Sequence, residues 1–197
     1  MESLARRTAL PRETRERLVL DTAGDLFYAR GVHEVGMDEL VHATGLGKAT
    51  VYRLFATKDE LIGAYLRRLS ADILALIDNA IERHATDPCA AVRAIFASIA
   101  ADLGRPAFRG CAFNNASIEF SDPQHPARAA ARDYRQHLHQ RLVTLARRID
   151  PVGGDALGDQ LALLIDGMYT SAAHLGPRGP AAGGPALADA LIGAAHV

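Results

Sequence analysis

Apolar residues recur at intervals of three and four along most of the chain. Within residues 11–31, Val19, Ala23, Leu26 and Phe27 share one helical face, and Gly31 is a suitable end. The same spacing predicts further helices within 37–44, 47–55, 57–84, 86–104, 109–120, 122–149, 155–175 and 185–197. No stretch alternates convincingly with the period of two that marks a half-buried strand. The sequence therefore predicts an all-α protein of about nine helices.

Residues suited to helix boundaries stand between these apolar runs. Gly45 follows the short run 37–44 and opens a turn. Thr57 and Glu60 have the spacing of a capping box, in which the hydroxyl and the carboxylate each accept a backbone N–H. Asp87 followed by Pro88 is typical of a cap and a first helical turn. The boundaries agree with the periodicity.

Composition excludes several classes of protein. The chain has 197 residues, 49% hydrophobic and 23% charged, which is ordinary for a folded globular protein. The net charge of −1 says little about partners, although five arginines fall within residues 1–20. Two cysteines are too few for a disulfide scaffold, and no apolar run approaches the roughly 18 residues of a membrane span. We therefore expect a cytoplasmic protein with no membrane partner.

The stretch GLGKATVYRLF, residues 45–55, superficially resembles a phosphate-binding loop. That motif requires a glycine five residues before Gly47 and a hydroxyl residue directly after Lys48, so that backbone N–H groups and the hydroxyl surround phosphate and magnesium. This chain has His42 and Ala49 at those two positions. Nucleotide binding through this stretch is therefore not expected.

Catalytic and metal-binding patterns are also missing from the sequence. It has no nucleophile elbow and no HExxH motif. His137 and His139 are two residues apart and point to nearly opposite sides of a helix, so they cannot chelate one ion. We expect no enzyme activity, no metal and no cofactor. Cys111, beside Gly110, is either a redox or electrophile sensor or a buried inert thiol, and the second is favoured.

A helical wheel of residues 47–55 separates two faces. Val51, Leu54 and Phe55 fall together and are expected to face the core. The outward or flanking positions belong to Ala49, Thr50, Tyr52 and Arg53, with Lys48 at the helix start. Small residues, hydroxyls and arginine are what DNA recognition uses for close approach, phosphates and guanine edges. Together with helix 37–44 and the turn at Gly45, this pattern predicts a helix-turn-helix.

At this point the chain resembles the TetR (tetracycline-repressor-like) family of bacterial regulators. The resemblance is specific over about residues 12–66, through RERLVLDTAGDLFYARG (15–31) and MDELVHATGLGKATVYRLFATKDEL (37–61). It implies a DNA-binding domain in residues 1–56, with an arm in 1–10, and an effector-binding and dimerisation domain in 57–197. The residues it implies for the DNA-binding site are Gly36, Gly47, Lys48, Ala49, Thr50, Tyr52, Arg53 and Lys58.

The family usually has Thr or Ser where this chain has Gly36, and Ser where it has Gly47. Both are expected N-cap positions, at which glycine costs a few tenths of a kcal/mol relative to serine and leaves the N–H groups open to phosphate. Arg53 replaces a side chain that is commonly smaller or an imidazole. The resemblance therefore implies DNA binding without indicating the operator sequence.

The resemblance is loose over residues 67–197 and gives only candidate sites. An apolar effector pocket with a few polar anchors is expected among Phe96, Ile99, Phe113, Asn114, Glu119, Tyr134, His137 and Tyr169. A homodimer interface is expected in the last two helices, at Leu161, Leu164, Ile165, Met168, Leu187 and Leu191. A monomer that buries this stripe internally is the alternative.

The sequence thus favours a ligand-responsive transcriptional regulator. The implied form is a homodimeric repressor that a small hydrophobic or aromatic effector releases from a palindromic double-stranded operator. The alternative is an all-α small-molecule-binding protein, or an enzyme, that has lost specific DNA binding. Steep salt dependence of duplex binding would distinguish the regulator from that alternative.

Overall fold

The computed structural model describes residues 10–195, so residues 1–9 of the predicted arm lie outside the described part. The prediction of an all-α fold is confirmed: the described residues form nine α-helices and no strand. The helices are α1 (Arg12–Arg30), α2 (Met37–Thr44), α3 (Lys48–Leu54), α4 (Lys58–Arg83), α5 (Pro88–Leu103), α6 (Ala112–Ile118), α7 (Pro126–Ile149), α8 (Gly154–Leu175) and α9 (Gly184–Ala194). A 3-10 helix, Pro180–Gly183, precedes α9.

The helices form two compact units that do not follow the chain in simple order. Unit 1 contains residues up to Ser70 together with Ala112–Arg132. Unit 2 contains Ala71–Cys111 and residues from Asp133 onward. Helices α4 and α7 each contribute residues to both units. The first unit therefore includes a segment that is remote in sequence from the helix-turn-helix.

Unit 1 has one apolar core to which all its segments contribute. Val19 of α1, Leu40 of α2 and Val51 of α3 are completely buried. The first half of α4 adds Leu61, Ile62 and Leu66, and the remote segment adds Phe113 and Ala127, all of them buried. Since burial of apolar area stabilises a fold by roughly 25 cal/mol per Å², these shared contacts hold the short helices α2 and α3 in place.

The boundaries of the short helices have identifiable causes. Gly45 ends α2 in the left-handed region, with φ 63° and ψ 20°, where residues with a Cβ are disfavoured. At the start of α4, Thr57 Oγ1 accepts the N–H of Glu60 at 3.1 Å. Glu60 Oε2 accepts the N–H of Ala56 at 2.9 Å, one residue earlier than in the standard capping box. The predicted turn and cap are both present.

In unit 2, α5, α8 and α9 contact one another around an apolar centre. Phe96, Leu161, Met168 and Ile192 are almost fully buried there. The predicted cap of α5 is present, because Asp87 Oδ1 accepts the N–H of Ala90 at 2.9 Å.

Among the described helices, none combines the length and the apolar character needed to cross a membrane.

Candidate nucleic-acid interface

The helix-turn-helix consists of α2, a turn over Gly45–Gly47, and α3. Gly36 and Gly47 occupy the N-cap positions of the two helices in extended conformations. Neither N-cap has a side chain, so the first N–H groups of each helix have no side-chain cap. Exposed N–H groups at a helix start, with the positive end of the helix dipole, favour phosphate.

Lys48 lies at the start of α3 with its ammonium group held by two neighbours. Its Nζ is 2.7 Å from Asp38 Oδ1 on α2 and 5.8 Å from the centre of the Tyr52 ring. The hydrogen bond with Asp38, followed by the charge of that carboxylate, raises the pKa of Lys48. The side chain is therefore a positive charge at neutral pH.

Tyr52 and Arg53 present their side chains to solvent, as the helical wheel predicted. Tyr52 is 38% exposed, and Arg53 is exposed as well. Arg53 Nε donates to the carbonyl of Ala49 one turn earlier at 3.1 Å. Its two terminal nitrogens form no hydrogen bond with the described residues, so they are available for a bidentate contact. Ala49, also exposed, leaves room for close approach.

The predicted outward orientation of Thr50 is wrong. Thr50 is only 6% exposed and lies among the buried residues of α3. Its neighbours Leu46, in the turn, and Val51, on the same helix, are buried as well. Its hydroxyl is therefore not presented to solvent in this structure.

Lys58, the predicted backbone clamp at the start of α4, is half-buried. Its Nζ donates to the carbonyl of His33 at 3.2 Å, in the connection between α1 and α2. The ammonium group is therefore fixed close to the helix-turn-helix.

Two partners of this region were not predicted from the sequence. Asp38, which binds Lys48, is an ordinary first-turn acid of α2 in sequence terms. Glu119 belongs to the remote segment, yet its Oε1 and Oε2 accept the N–H groups of Val32 and His33 at 3.2 and 3.0 Å. A sequence separation of 86 or 87 residues leaves no local signal for such a contact.

Comparison with known proteins identifies the family. The model for bacterial regulatory proteins of the tetR family matches residues 19–65. SCO4454, a TetR-family transcriptional regulator from Streptomyces coelicolor, is 31% identical, with a TM-score of 0.87 over 93% of this chain and 97% of that chain. The protein belongs to the TetR family.

Two further relatives give the extent of the similarity. The sav143 protein of Streptomyces avermitilis, a putative TetR transcriptional regulator, is 28% identical with a TM-score of 0.74, over 92% of this chain and 97% of that chain. FasR of Mycolicibacterium smegmatis, an HTH-type transcriptional activator, is 36% identical over 78 residues, which are 40% of this chain and 35% of FasR. The match thus spans about a third of that curated relative. These findings make the chain a DNA-binding transcriptional regulator of the TetR family.

The predicted effector residues of this TetR-family protein divide between the units. Phe113, Asn114 and Glu119 lie in unit 1, and Phe96, Ile99, Tyr134, His137 and Tyr169 lie in unit 2. Glu119 is occupied by backbone N–H groups, which gives it a structural role. Asn114 and His137 are exposed. Because these side chains are scattered in this way, their assignment to one pocket stays a prediction.

Within unit 2, the two predicted tyrosines belong to one polar cluster. The Tyr169 hydroxyl donates to Asp102 Oδ2 at 2.8 Å, and its ring lies 5.9 Å from that of Phe108. Burial, before the nearby charges, raises the pKa values of Tyr134 and Tyr169, so both phenols stay protonated at neutral pH. Arg135 Nη2 lies 3.8 Å from Cys111 Sγ in the same unit.

A separate cavity of about 270 Å³ opens between α4 and α7 in unit 2. Asp78, Arg141 and Arg148 contribute to its wall, and none of the eight predicted effector residues does. Arg141 donates to both oxygens of Asp78 at 2.7 and 2.9 Å. Among the described residues, no group of three or more His, Cys, Asp or Glu is arranged to hold a metal ion.

The predicted interface stripe is largely internal. Leu161, Ile165 and Met168 are buried in the single chain, which agrees with the alternative of a stripe that is buried internally, and their assignment to a dimer interface stays a prediction. The close approach of the first residue of α9 explains part of this: a Cβ on Gly184 would lie 2.3 Å from Met168 Sδ. Leu164 and Leu191 are half-buried. Leu163, at 71%, and Leu187, at 52%, are the strongly exposed leucines of α8 and α9 apart from the terminal Leu175.

Proposed function

We propose that the protein is a ligand-responsive repressor that binds a palindromic operator as a homodimer and is released by a small hydrophobic or aromatic effector. It would act in the cytoplasm without a membrane partner. The observation that carries DNA binding is the exposed face of α3, where Lys48, Tyr52 and Arg53 lie outward next to bare helix-start N–H groups.

In this proposal the residues of the DNA-binding head, which consists of α1, α2, α3 and the start of α4, have different tasks. Arg53 reads a base, because its terminal nitrogens are unoccupied among the described residues and a guanidinium can bind guanine O6 and N7 together. Tyr52 and Lys58 contact phosphates, and the N–H groups after Gly36 and Gly47 bind phosphate oxygens. Lys48 contacts a phosphate or a base only after leaving Asp38. Thr50 contributes to the packing of α3, and its buried position leaves a direct DNA contact without support.

A palindromic operator requires two heads, and therefore a dimer. The exposed Leu163 and Leu187 support an interface through α8 and α9. Gly167, one turn after Leu163, has nothing within 4 Å of where a Cβ would be, so a partner helix could approach closely there. We infer that Leu163, Gly167 and Leu187 replace Leu161, Ile165 and Met168 as interface residues.

The aromatic groups of unit 2 support the proposed class of effector. Tyr169 packs against Phe108 and donates to Asp102, which also pairs with Arg105, and Tyr134 is buried near the same carboxylate. A molecule with an aromatic ring and one hydrogen-bonding group would match this composition. Helix α4 belongs to both units, so a change in unit 2 can be passed along it to the head. A ligand shifts that equilibrium only as far as its affinities for the two states differ.

The direction of regulation is a separate question from DNA binding. FasR is named a transcriptional activator, but the similarity to it covers only 78 residues, 35% of FasR, which is too little to transfer its direction of regulation. Repression needs only that the bound dimer blocks transcription, whereas activation needs a further contact. We therefore propose repression, and a reporter gene under the selected operator would show the direction.

The decisive experiment is selection of bound genomic fragments by the purified protein, followed by titration of one selected duplex and one unrelated duplex at several salt concentrations. A regulator enriches a palindromic sequence, and its affinity for both duplexes falls steeply with salt. No enrichment together with salt-independent binding would favour the alternative of a small-molecule-binding protein without DNA function.

Effector control has its own test through reciprocity. An effector that lowers operator affinity tenfold must bind tenfold more weakly to the DNA complex than to the free protein. Compounds suggested by the genes next to the selected fragments would be titrated with and without operator. Equal affinity in the two titrations would show that a compound is not the releasing ligand.

A further inference from the structure

The connection between α1 and α2 is held from outside the helix-turn-helix. Gly31 ends α1 with φ 95°, a conformation that favours glycine, and a Cβ there would lie 3.2 Å from Glu119 Oε1. This close approach lets the two carboxylate oxygens accept the N–H groups of Val32 and His33 at 3.2 and 3.0 Å. Hydrogen bonds from two adjacent N–H groups to an ionised carboxylate are stronger than neutral ones and fix the direction of the turn.

The residues after Glu119 reinforce the same turn. The His33 ring nitrogen Nε2 lies 3.0 Å from the carbonyl of Glu119, and the ring lies 4.9 Å from Phe120. Phe120 in turn stacks on His125 with ring centres 3.5 Å apart. His125 Nε2 lies 3.4 Å from Asp59 Oδ1, at the start of α4. The segment 119–125 therefore contacts both the α1–α2 connection and the first turn of α4.

These contacts extend to Lys58, which is a predicted DNA-contacting residue. The N–H of His33 donates to Glu119, and the carbonyl of His33 accepts a hydrogen bond from Lys58 Nζ at 3.2 Å. Lys58 is thus bonded to the carbonyl of the same residue whose N–H Glu119 accepts, so the position of its ammonium group depends on the backbone conformation of His33, which Glu119 holds. Glu119 itself is partly buried, and its carboxylate accepts hydrogen bonds from the turn residues Val32 and His33.

We propose that Glu119 is a positioning residue for DNA binding, acting through the Val32–His33 turn to place Lys58 against the DNA backbone. The inference rests on the proposed function. The chain enters the segment 112–132 from unit 2 at Cys111 and leaves it to unit 2 at Asp133, so a change in that unit has a covalent route to Glu119. Effector-dependent loss of the Glu119 contacts would then lower DNA affinity.

The test compares Glu119→Gln with Glu34→Gln, which removes an exposed carboxylate from the same connection. Loss of negative charge alone should leave duplex affinity unchanged or raise it slightly. Glutamine has one acceptor oxygen and an amide that faces a backbone donor, so we expect Glu119→Gln to lower affinity about fivefold to tenfold. A lowered duplex affinity for Glu119→Gln, but not for Glu34→Gln, would therefore separate the effect of positioning from the effect of lost charge.

A double substitution tests the route through Lys58. In the wild-type background, Lys58→Met should lower the affinity for every duplex and reduce the slope of log affinity against log salt by about one. In the Glu119→Gln background, the same substitution should change affinity less than about twofold, because the ammonium group is already displaced. Additive effects of the two substitutions would overturn the proposal.

Folding is checked separately so that an unstable variant does not decide the outcome. Thermal melting is measured alongside every titration. Glu119→Asp is a second variant: it keeps the negative charge but moves the carboxylate oxygens away from the N–H groups of Val32 and His33, so it should also weaken DNA binding. In the wild type, amide exchange should be slow at Val32 and His33, and fast exchange at both would overturn the contacts.

The failure of this inference can be told apart from the failure of the proposed function. If the wild type binds no duplex, the proposed function fails. If it binds but Glu119→Gln has the same affinity as Glu34→Gln, only this inference fails.

Discussion

The packed helices and the recognition helix α3 use their charged side chains differently. In unit 1, Arg30 of α1 pairs with Glu39 of α2, and Arg68 of α4 pairs with Asp21 of α1. In unit 2, arginines pair with aspartates of neighbouring helices: Arg93 with Asp189 and Arg141 with Asp78, each at 2.7 Å. On α3 of unit 1, Arg53 has no carboxylate partner among the described residues. A guanidinium whose charge is compensated inside its own chain stabilises helix packing, whereas one left uncompensated on a short exposed helix is available to an anionic partner. The packed helices, whose arginines are paired, therefore differ from the recognition surface on α3, where Arg53 is not.

Lys48 lies between these two cases. It is on the recognition helix, yet it pairs with Asp38 in the same unit. Both side chains are well exposed, and such surface pairs contribute little to stability. Asp38 can therefore hold Lys48 until a phosphate replaces the carboxylate, and breaking the ion pair costs little free energy.

The largest expected effect comes from disrupting the exposed apolar face of unit 2. Leu163→Arg should give folded monomers, because the side chain is already 71% exposed in the single chain. Operator affinity should fall on the order of 100-fold or more, since the two heads no longer bind as a linked pair. Sedimentation velocity and operator titration measure the two effects.

Leu76→Arg is the matched control, because Leu76 is 62% exposed on α4 of the same unit but outside the proposed face. It should remain dimeric. Leu164→Arg, at a half-buried position, would mix folding with assembly and is less informative. If Leu163→Arg stays dimeric, the interface lies elsewhere.

On the recognition surface, Arg53→Ala should weaken specific binding by about 1–3 kcal/mol. Arg53→Lys keeps the charge but not the two parallel donors, so it should recover nonspecific binding and little of the specificity. Paired titrations of the operator and of an unrelated duplex measure both quantities. If Arg53→Ala lowers the affinity for both duplexes equally, Arg53 contacts only phosphate.

Local signals explain what could be predicted from the sequence. The bounds of α2, the left-handed Gly45 and the caps at Thr57 and Asp87 depend on neighbouring residues, and all are present in the structure. The outward orientation of Tyr52 and Arg53 followed from the helical period. Each of these features involves residues within about one helical turn of one another.

Features that depend on tertiary packing were wrong, were missed or were left open. The helical wheel puts Thr50 outside or on the flank of α3, whereas in the folded chain it is buried. The stripe Leu161, Ile165 and Met168 is apolar in either case, and only packing shows that it faces its own unit. Glu119 is separated from its partners by 86 or 87 residues. Sequence periodicity shows that a face is buried but not what buries it.

Charge compensation in unit 2 leads to a smaller, pH-dependent effect. Hydrogen bonds from Arg141 lower the pKa of Asp78 below its usual 3.8. A carboxylate with a lowered pKa in the folded state contributes stability above its unfolded pKa, and the contribution is lost as pH falls through the folded value. Asp78→Asn should therefore cost about 0.5–1 kcal/mol at pH 7, a range suited to a half-exposed pair.

The difference between the wild type and Asp78→Asn should shrink toward zero as pH falls through the lowered pKa of the wild-type carboxyl, because that carboxyl is then protonated. Urea unfolding at pH 7 and at a series of acid pH values measures it. Asp72→Asn on the same helix is the control, since Asp72 is exposed and forms no ion pair with the described residues. A pH-independent difference would mean that Asp78 acts through packing and not through its charge.

The smallest expected effect concerns the glycines of the recognition surface. Gly47→Ser supplies an N-cap hydroxyl for the N–H of Ala49, since the N–H of Thr50 already donates to the carbonyl of Gly47 at 2.8 Å, and should stabilise the protein by a few tenths of a kcal/mol. The site has room, since the nearest atom to a Cβ at this position would be Thr50 Oγ1 at 3.9 Å. Gly45→Ser is the matched control two residues earlier, where φ of 63° should make the same substitution cost about 1 kcal/mol. Urea unfolding should give opposite signs, and destabilisation by both would show that Gly47 is required for the turn rather than serving as a weak cap.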